Sequence, residues 1–83
     1  MPRYMVTCIM HNQEAPSETL KNESQKHFLE LMKEGYLLTA HINRAWVKCW
    51  LFMQAPEIHF IENLLKTSPL YDSMHSTIDE LEE

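Results

Sequence analysis

Apolar positions along the chain follow two periods. Tyr4 to Met10 (YMVTCIM) is rich in residues that suit a strand, and His11 to Pro16 is a polar loop. From Ser17 the period lengthens. Leu20, Ser24, His27, Phe28, Leu31 and Met32 recur at i, i+3/i+4, i+7 spacing, which predicts a helix from about residue 17 to 34. Ser17 stands as its N-cap, with Glu18 in the first turn. Gly35, the only glycine, stands where a C-terminal cap needs positive φ. Tyr36 to Asn43 and Trp46 to Met53 read as two strands joined at Arg44-Ala45, although the Asn-Gly or Asp-Gly of a strong hairpin is missing. Pro56 suits the first turn of a second helix, where Ile58, Ile61, Leu64 and Leu65 share a face. Pro69 ends that helix, and Ser73 to Ile78 predicts a last strand.

The order β-α-β-β-α-β is the ferredoxin-like split βαβ arrangement. It predicts an α+β sandwich in one domain over residues 1-83, with a four-stranded antiparallel sheet and both helices on one face. A two-residue turn at Arg44-Ala45 would place Tyr36, Leu38, Ala40, Ile42, Val47, Cys49, Leu51 and Met53 on one face, which is apolar and suits the helices. Leu37, Thr39, His41, Asn43, Trp46, Lys48, Trp50 and Phe52 would share the other. In the last strand Met74, Ser76 and Ile78 join the first set, and Ser73, His75 and Thr77 the mixed one. The first strand leaves its core set open between Tyr4, Val6, Cys8, Met10 and Met5, Thr7, Ile9.

No third helix is left to cover the mixed face. Two tryptophans and a phenylalanine there exceed the few hundred Å² of apolar patch usual on a soluble monomer. The predicted remedy is a second subunit, sheet against sheet. A cavity between two such sheets would be apolar and aromatic with a few polar groups, the composition of a small-molecule pocket.

Composition narrows the rest. At 83 residues the chain buries only about 60% of its unfolded surface, a size at which a partner subunit often helps. Two cysteines, Cys8 and Cys49, lie in apolar runs and make no disulfide framework, which predicts free buried thiols in a reducing compartment. The net charge of −5 and the scattered basic residues argue against nucleic acid. No run has the length of a membrane span, and the N-terminal stretch lacks the form of a signal peptide, so the expected setting is cytoplasmic. No close His/Cys spacing suits zinc, and one glycine cannot build a phosphate loop, so neither metal nor cofactor is expected.

One segment carries a resemblance. Glu34-Gly35, Pro56, Leu65, Pro69-Leu70-Tyr71 and Met74 fall at the spacing of the muconolactone isomerase family, whose pattern there is Pro-Leu-aromatic followed by methionine. The match from Lys33 to Leu81 needs no gap, and the preceding helix also fits. The resemblance implies a dimeric α+β barrel that associates further. It also implies isomerisation of a small unsaturated lactone by proton transfer, without metal or cofactor. The family's acidic candidates on the first helix fall near Glu23 and Ser24. Leu37 and His41 stand where the family is expected to carry tryptophans.

The residues themselves offer acid/base groups in His41 and His75, since histidine titrates near neutral pH. Lys48 could hold a carboxylate. Trp46, Trp50, Thr39, Leu70 and Tyr71 are candidate walls, and Glu23 is the carboxylate that the resemblance adds. His27 reads as structural, and His11 and His59 as surface residues. Two other readings carry the same fold: a non-catalytic oligomeric ligand-binding or assembly module, and a cofactor-independent monooxygenase-like protein.

Overall fold

The structure is a computed structural model that describes residues 1–82. Strand β1 (Arg3–Met10) leads through a tight turn into helix α1 (Glu18–Lys33). Strands β2 (Leu37–Ile42) and β3 (Lys48–Gln54) follow, then helix α2 (Ile58–Lys66) and strand β4 (Met74–Glu80). The sheet runs β2-β3-β1-β4, with every neighbouring pair antiparallel. This is the α+β arrangement expected from the sequence.

Local chemistry sets the boundaries. The Ser17 hydroxyl accepts from the Leu20 N–H at 3.2 Å, closing the N-terminus of α1. At the other end Gly35 adopts φ +87°. The N–H of Tyr36 then reaches the Leu31 carbonyl at 3.0 Å, and that of Gly35 the Met32 carbonyl at 3.1 Å. These paired bonds form a Schellman motif, which a side chain at Gly35 would strain. Pro56 lies just before α2 rather than in its first turn, and Glu57 takes the N-cap place.

One apolar layer joins the sheet to both helices. Tyr4, Val6, Cys8 and Met10 of β1 are buried against Phe28 and Leu31 of α1 and Ile61 and Leu65 of α2. This settles the open question in β1: Met5, Thr7 and Ile9 face away from the helices. In β4, Met74, Ser76 and Ile78 face inward as expected.

The β2–β3 hairpin corrects the expected register. His41 pairs with Trp50 and Thr39 with Phe52, two residues from the pairing that a turn at Arg44-Ala45 would give. The turn is longer because Asn43 builds it. Its side-chain oxygen accepts from the N–H groups of Val47 at 3.0 Å and Lys48 at 3.1 Å, and its own carbonyl accepts from Trp46 at 3.0 Å. A shift of two residues preserves the faces, so Thr39 and His41 still share a side with Lys48, Trp50 and Phe52. Trp46 does not. It sits in the loop at φ +60° and turns toward the helices, against the expectation of an open-face strand residue. A bulge at Leu38 brings Leu37 opposite Met53 and buries it to 2% exposure, so Leu37 too leaves the open face.

Candidate functional site

Alternation along the strands leaves a broad surface on the sheet face away from the helices. Register places His41, Trp50, Thr7 and Thr77 in one cross-strand row. Lys48, Ile9 and His75 form the next row on one side, and Thr39, Phe52, Met5 and Asp79 the row on the other. Trp50, Phe52, Met5 and Thr7 are half-buried, and Ile9 is exposed. Two cations lie over the aromatic rings: the Lys48 ammonium 5.6 Å from the Trp50 centroid and the Arg3 guanidinium 5.8 Å from that of Phe52. Such contacts are worth about 0.5–1 kcal/mol at exposed positions.

The structure therefore brings Thr39, His41, Lys48 and Trp50 together on β2 and β3. His75 does not join them. It lies on the opposite edge strand, two strand spacings of about 4.8 Å from Lys48 and Trp50 and three, or roughly 14 Å, from Thr39 and His41. The edge of β4 at His75 also borders a groove of about 620 Å³ between α2 and β4, which Tyr71, Ile58, Glu62, Lys66 and Asp72 line as well. Tyr71 is 41% exposed there, whereas its neighbour Leu70 is buried in the core.

Glu23 and Ser24 face different sides of α1. Glu23 is exposed beside a surface hollow shared with Lys26, His27 and Glu30. Ser24 is fully buried, and its hydroxyl finds no partner among the described residues. The inward position on this turn of α1 thus carries a hydroxyl and the outward one the carboxylate.

His27 is half-buried and bonds Thr67 across the helix pair, Nε2 to Oγ1 at 2.9 Å. The Thr67 hydroxyl spends its single proton on the Leu64 carbonyl at 2.6 Å. It can therefore only accept from histidine, which fixes the neutral Nε2–H tautomer. Burial pushes the His27 pKa down, against Glu30 and Glu34, which raise it. A ring that favours its neutral form and bonds the opposite helix is structural, as its place near the core stripe suggested.

Between sheet and α1 there is little room. A cavity of about 10 Å³ is lined by Cys8, Met10, Phe28, Trp46, Cys49 and Leu70, among others. Cys8 and Cys49 are free thiols directly opposed on β1 and β3. Their apolar context in sequence indicated burial, but facing positions on separate strands have no short-range signal. Among the described residues no three His, Cys, Asp or Glu side chains gather around one point, and no helix is long and apolar enough to cross a membrane.

No family model and no curated protein matches the chain. Its fold does match a solved structure, a crystal structure of muconolactone isomerase, with a TM-score of 0.78. The superposition covers 98% of this chain and 88% of that one, at 16% sequence identity. The resemblance drawn from the Pro69-Leu70-Tyr71 segment therefore extends to a shared fold over almost the whole chain.

Proposed function

We propose that the protein is a homo-oligomer that acts on a small cyclic carboxylate, by cofactor-independent proton transfer of the muconolactone isomerase kind, in a space between two open sheet faces. The observation that carries this reading is the uncovered face itself. Trp50, Phe52, Met5 and Ile9 offer an apolar floor, and His41, Lys48 and Thr39 are grouped on it. A second sheet laid over this floor would exclude water from the aromatic rings and enclose the polar groups.

His41 and His75 lie too far apart to serve one substrate within a subunit. A two-fold axis running along the strands removes that difficulty, because it lays β2 of one subunit over β4 of the other. His41 then faces a histidine supplied by the second copy. In the proposed reaction the Lys48 ammonium holds the substrate carboxylate and Trp50 supports the ring. Neutral His41 takes a proton from the carbon beside the carbonyl, and the opposing histidine returns one to the next position. The substrate gains and loses one proton, as an isomerisation requires. Tyr71 lies at the other side of β4 and shapes its approach rather than the chemistry, and Leu70 is buried in the core beneath it. The non-catalytic assembly reading draws on a different observation, the near-filled interior between sheet and helices.

The test is turnover of muconolactone by the purified protein, with light scattering to size it. Activity in an oligomer that falls at least about 100-fold in His41→Ala and His75→Ala, both folded, supports the proposal. A stable monomer removes the shared cavity. An active oligomer indifferent to both substitutions removes the histidine chemistry.

A further inference from the structure

The opposed cysteines lie side by side within the apolar layer between sheet and helices. Cys8 and Cys49 are direct cross-strand partners, 2% and 8% exposed, on the helix side of the sheet. Backbone bonds from Met10 N–H to the Val47 carbonyl (2.8 Å) and from Ala55 N–H to the Pro2 carbonyl (3.2 Å) fix the phase of the ladder. With that phase Cys8 and Cys49 form a hydrogen-bonded pair, whose Cβ atoms stand about 5.5 Å apart. A relaxed disulfide needs about 3.5–4.5 Å between Cβ atoms. The two sulfurs are therefore spaced too widely for a direct bond. They suit a bridging atom, since two metal–sulfur bonds of about 2.3 Å span the extra distance.

A third sulfur belongs to the same place. Met10 follows Cys8 on the same face and is held by its own backbone bond to Val47. All three residues line the cavity of about 10 Å³, close to the smallest volume that holds one water-sized body. The Ser76 hydroxyl donates to Cys8 Sγ at 3.7 Å from the other side. From the geometry we infer that Cys8, Cys49 and Met10 form a binding site for a single soft monovalent ion, Cu(I).

The donor set selects the ion. Thiolate and thioether sulfurs favour Cu(I) among first-row metals. Zinc would want a fourth ligand, usually histidine or another cysteine, and none gathers here among the described residues. The thiols are also unequal. The hydrogen bonds from Cys49 and from Ser76 lower the Cys8 pKa against the effect of burial, while donation to Cys8, burial and the Cys8 charge raise that of Cys49. The Lys21 ammonium lies 5.5 Å from the Trp46 ring centroid on one wall and is ion-paired to Glu18 at 3.4 Å.

Anaerobic titration of the reduced full-length protein with Cu(I), against a chromophoric Cu(I) chelator, tests this. One ion per chain is expected, with sulfur as the only nearest-shell scatterer in X-ray absorption of the loaded wild type. Outer-shell partners of a metal ligand are worth about 10–100-fold in affinity, so loss of a ligand should cost at least about 100-fold. Cys8→Ser and Cys49→Ser should each show that loss and Met10→Leu a smaller one, with near-UV circular dichroism confirming that each variant folds. Failure of the wild type to compete for Cu(I), nitrogen or oxygen in the nearest shell, or undiminished binding by folded Cys8→Ser/Cys49→Ser protein would overturn the site. So would quantitative formation of a Cys8–Cys49 disulfide in the native fold under mild peroxide, because it would refute the spacing.

Discussion

Replacing Asn43 by alanine tests the element that sets the register of the β2–β3 hairpin. One side-chain oxygen serves two backbone donors, Val47 N–H at 3.0 Å and Lys48 N–H at 3.1 Å. The Val47 bond is half-buried, so its donor loses a partner that water replaces poorly, at about 1–2 kcal/mol. The Lys48 bond is exposed and its donor can be hydrated, which leaves about 0.5 kcal/mol. The expected loss is therefore about 2 kcal/mol, or a fall in Tm of roughly 8–16 °C for a domain of this size.

Asn43→Asp keeps the acceptor and should stay within about 0.5 kcal/mol of wild type, so the two substitutions separate the hydrogen bonds from side-chain volume. Urea denaturation followed by tryptophan fluorescence measures both, since Trp46 lies inside the loop and Trp50 opposite His41. Equal losses in the alanine and aspartate variants, or an alanine loss below about 0.5 kcal/mol, would refute the role given to the carboxamide. Cross-strand contacts by NMR add a second check. In Asn43→Ala the hairpin is freer to adopt the two-residue turn, which would move His41 from Trp50 to Lys48.

Other residues give sharp expectations. Gly35→Ala should cost about 1 kcal/mol in a thermal melt purely through its positive φ, because no described atom lies within 4 Å of the added Cβ; Gly35→Asn should cost less. Trp50→Glu should weaken self-association by at least about 2 kcal/mol, roughly 30-fold in Kd by sedimentation equilibrium, because the carboxylate would replace the centre of the apolar floor. His27 should make the fold acid-sensitive. Its folded pKa lies below 6.5, so the unfolded chain binds more protons, and stability falls as pH drops through 6.5 toward the folded value. Denaturation between about pH 7.5 and about pH 5.5 should show a smaller loss in His27→Gln than in wild type.

The parts of the fold that could be read from sequence are those with local causes. Ser17, Gly35 and Pro69 act on their own neighbours, and each marks a boundary within three residues of a helix end. The α1 and α2 stripes carry their own period. What could not be read depends on partners distant in sequence. Both alternating sets of β1 contain large apolar residues, so only packing against Phe28, Leu31, Ile61 and Leu65 selects between them. The bulge at Leu38 is a mismatch between two strands and leaves no trace in either alone. Because the open face was deduced from alternation and the true register differs by an even number, the grouping of Thr39, His41, Lys48 and Trp50 survived an incorrect turn. Trp46 did not, since its place depends on hydrogen bonds made by Asn43.

The same parity separates the two chemistries proposed for this chain. Cys8 and Cys49 project toward the helices, while Thr7 and Trp50, the adjacent cross-strand pair, project away. One sheet thickness of backbone lies between the buried set of sulfurs and the open face proposed as the floor of an intersubunit space. The hydrogen-bonded ladder of β1 and β3 is the rigid element they share, and neither site needs the other in order to form. Filling the sulfur site should therefore raise the melting temperature and leave the mass of the assembly unchanged. Substitutions of Trp50 should alter the assembly and leave the affinity for Cu(I) within about threefold, because Trp50 and the sulfurs project from opposite faces of the sheet. If Cu(I) instead dissociated the oligomer, the ladder would have to deform on binding. The pair spacing would then be set by the ion and not by the fold.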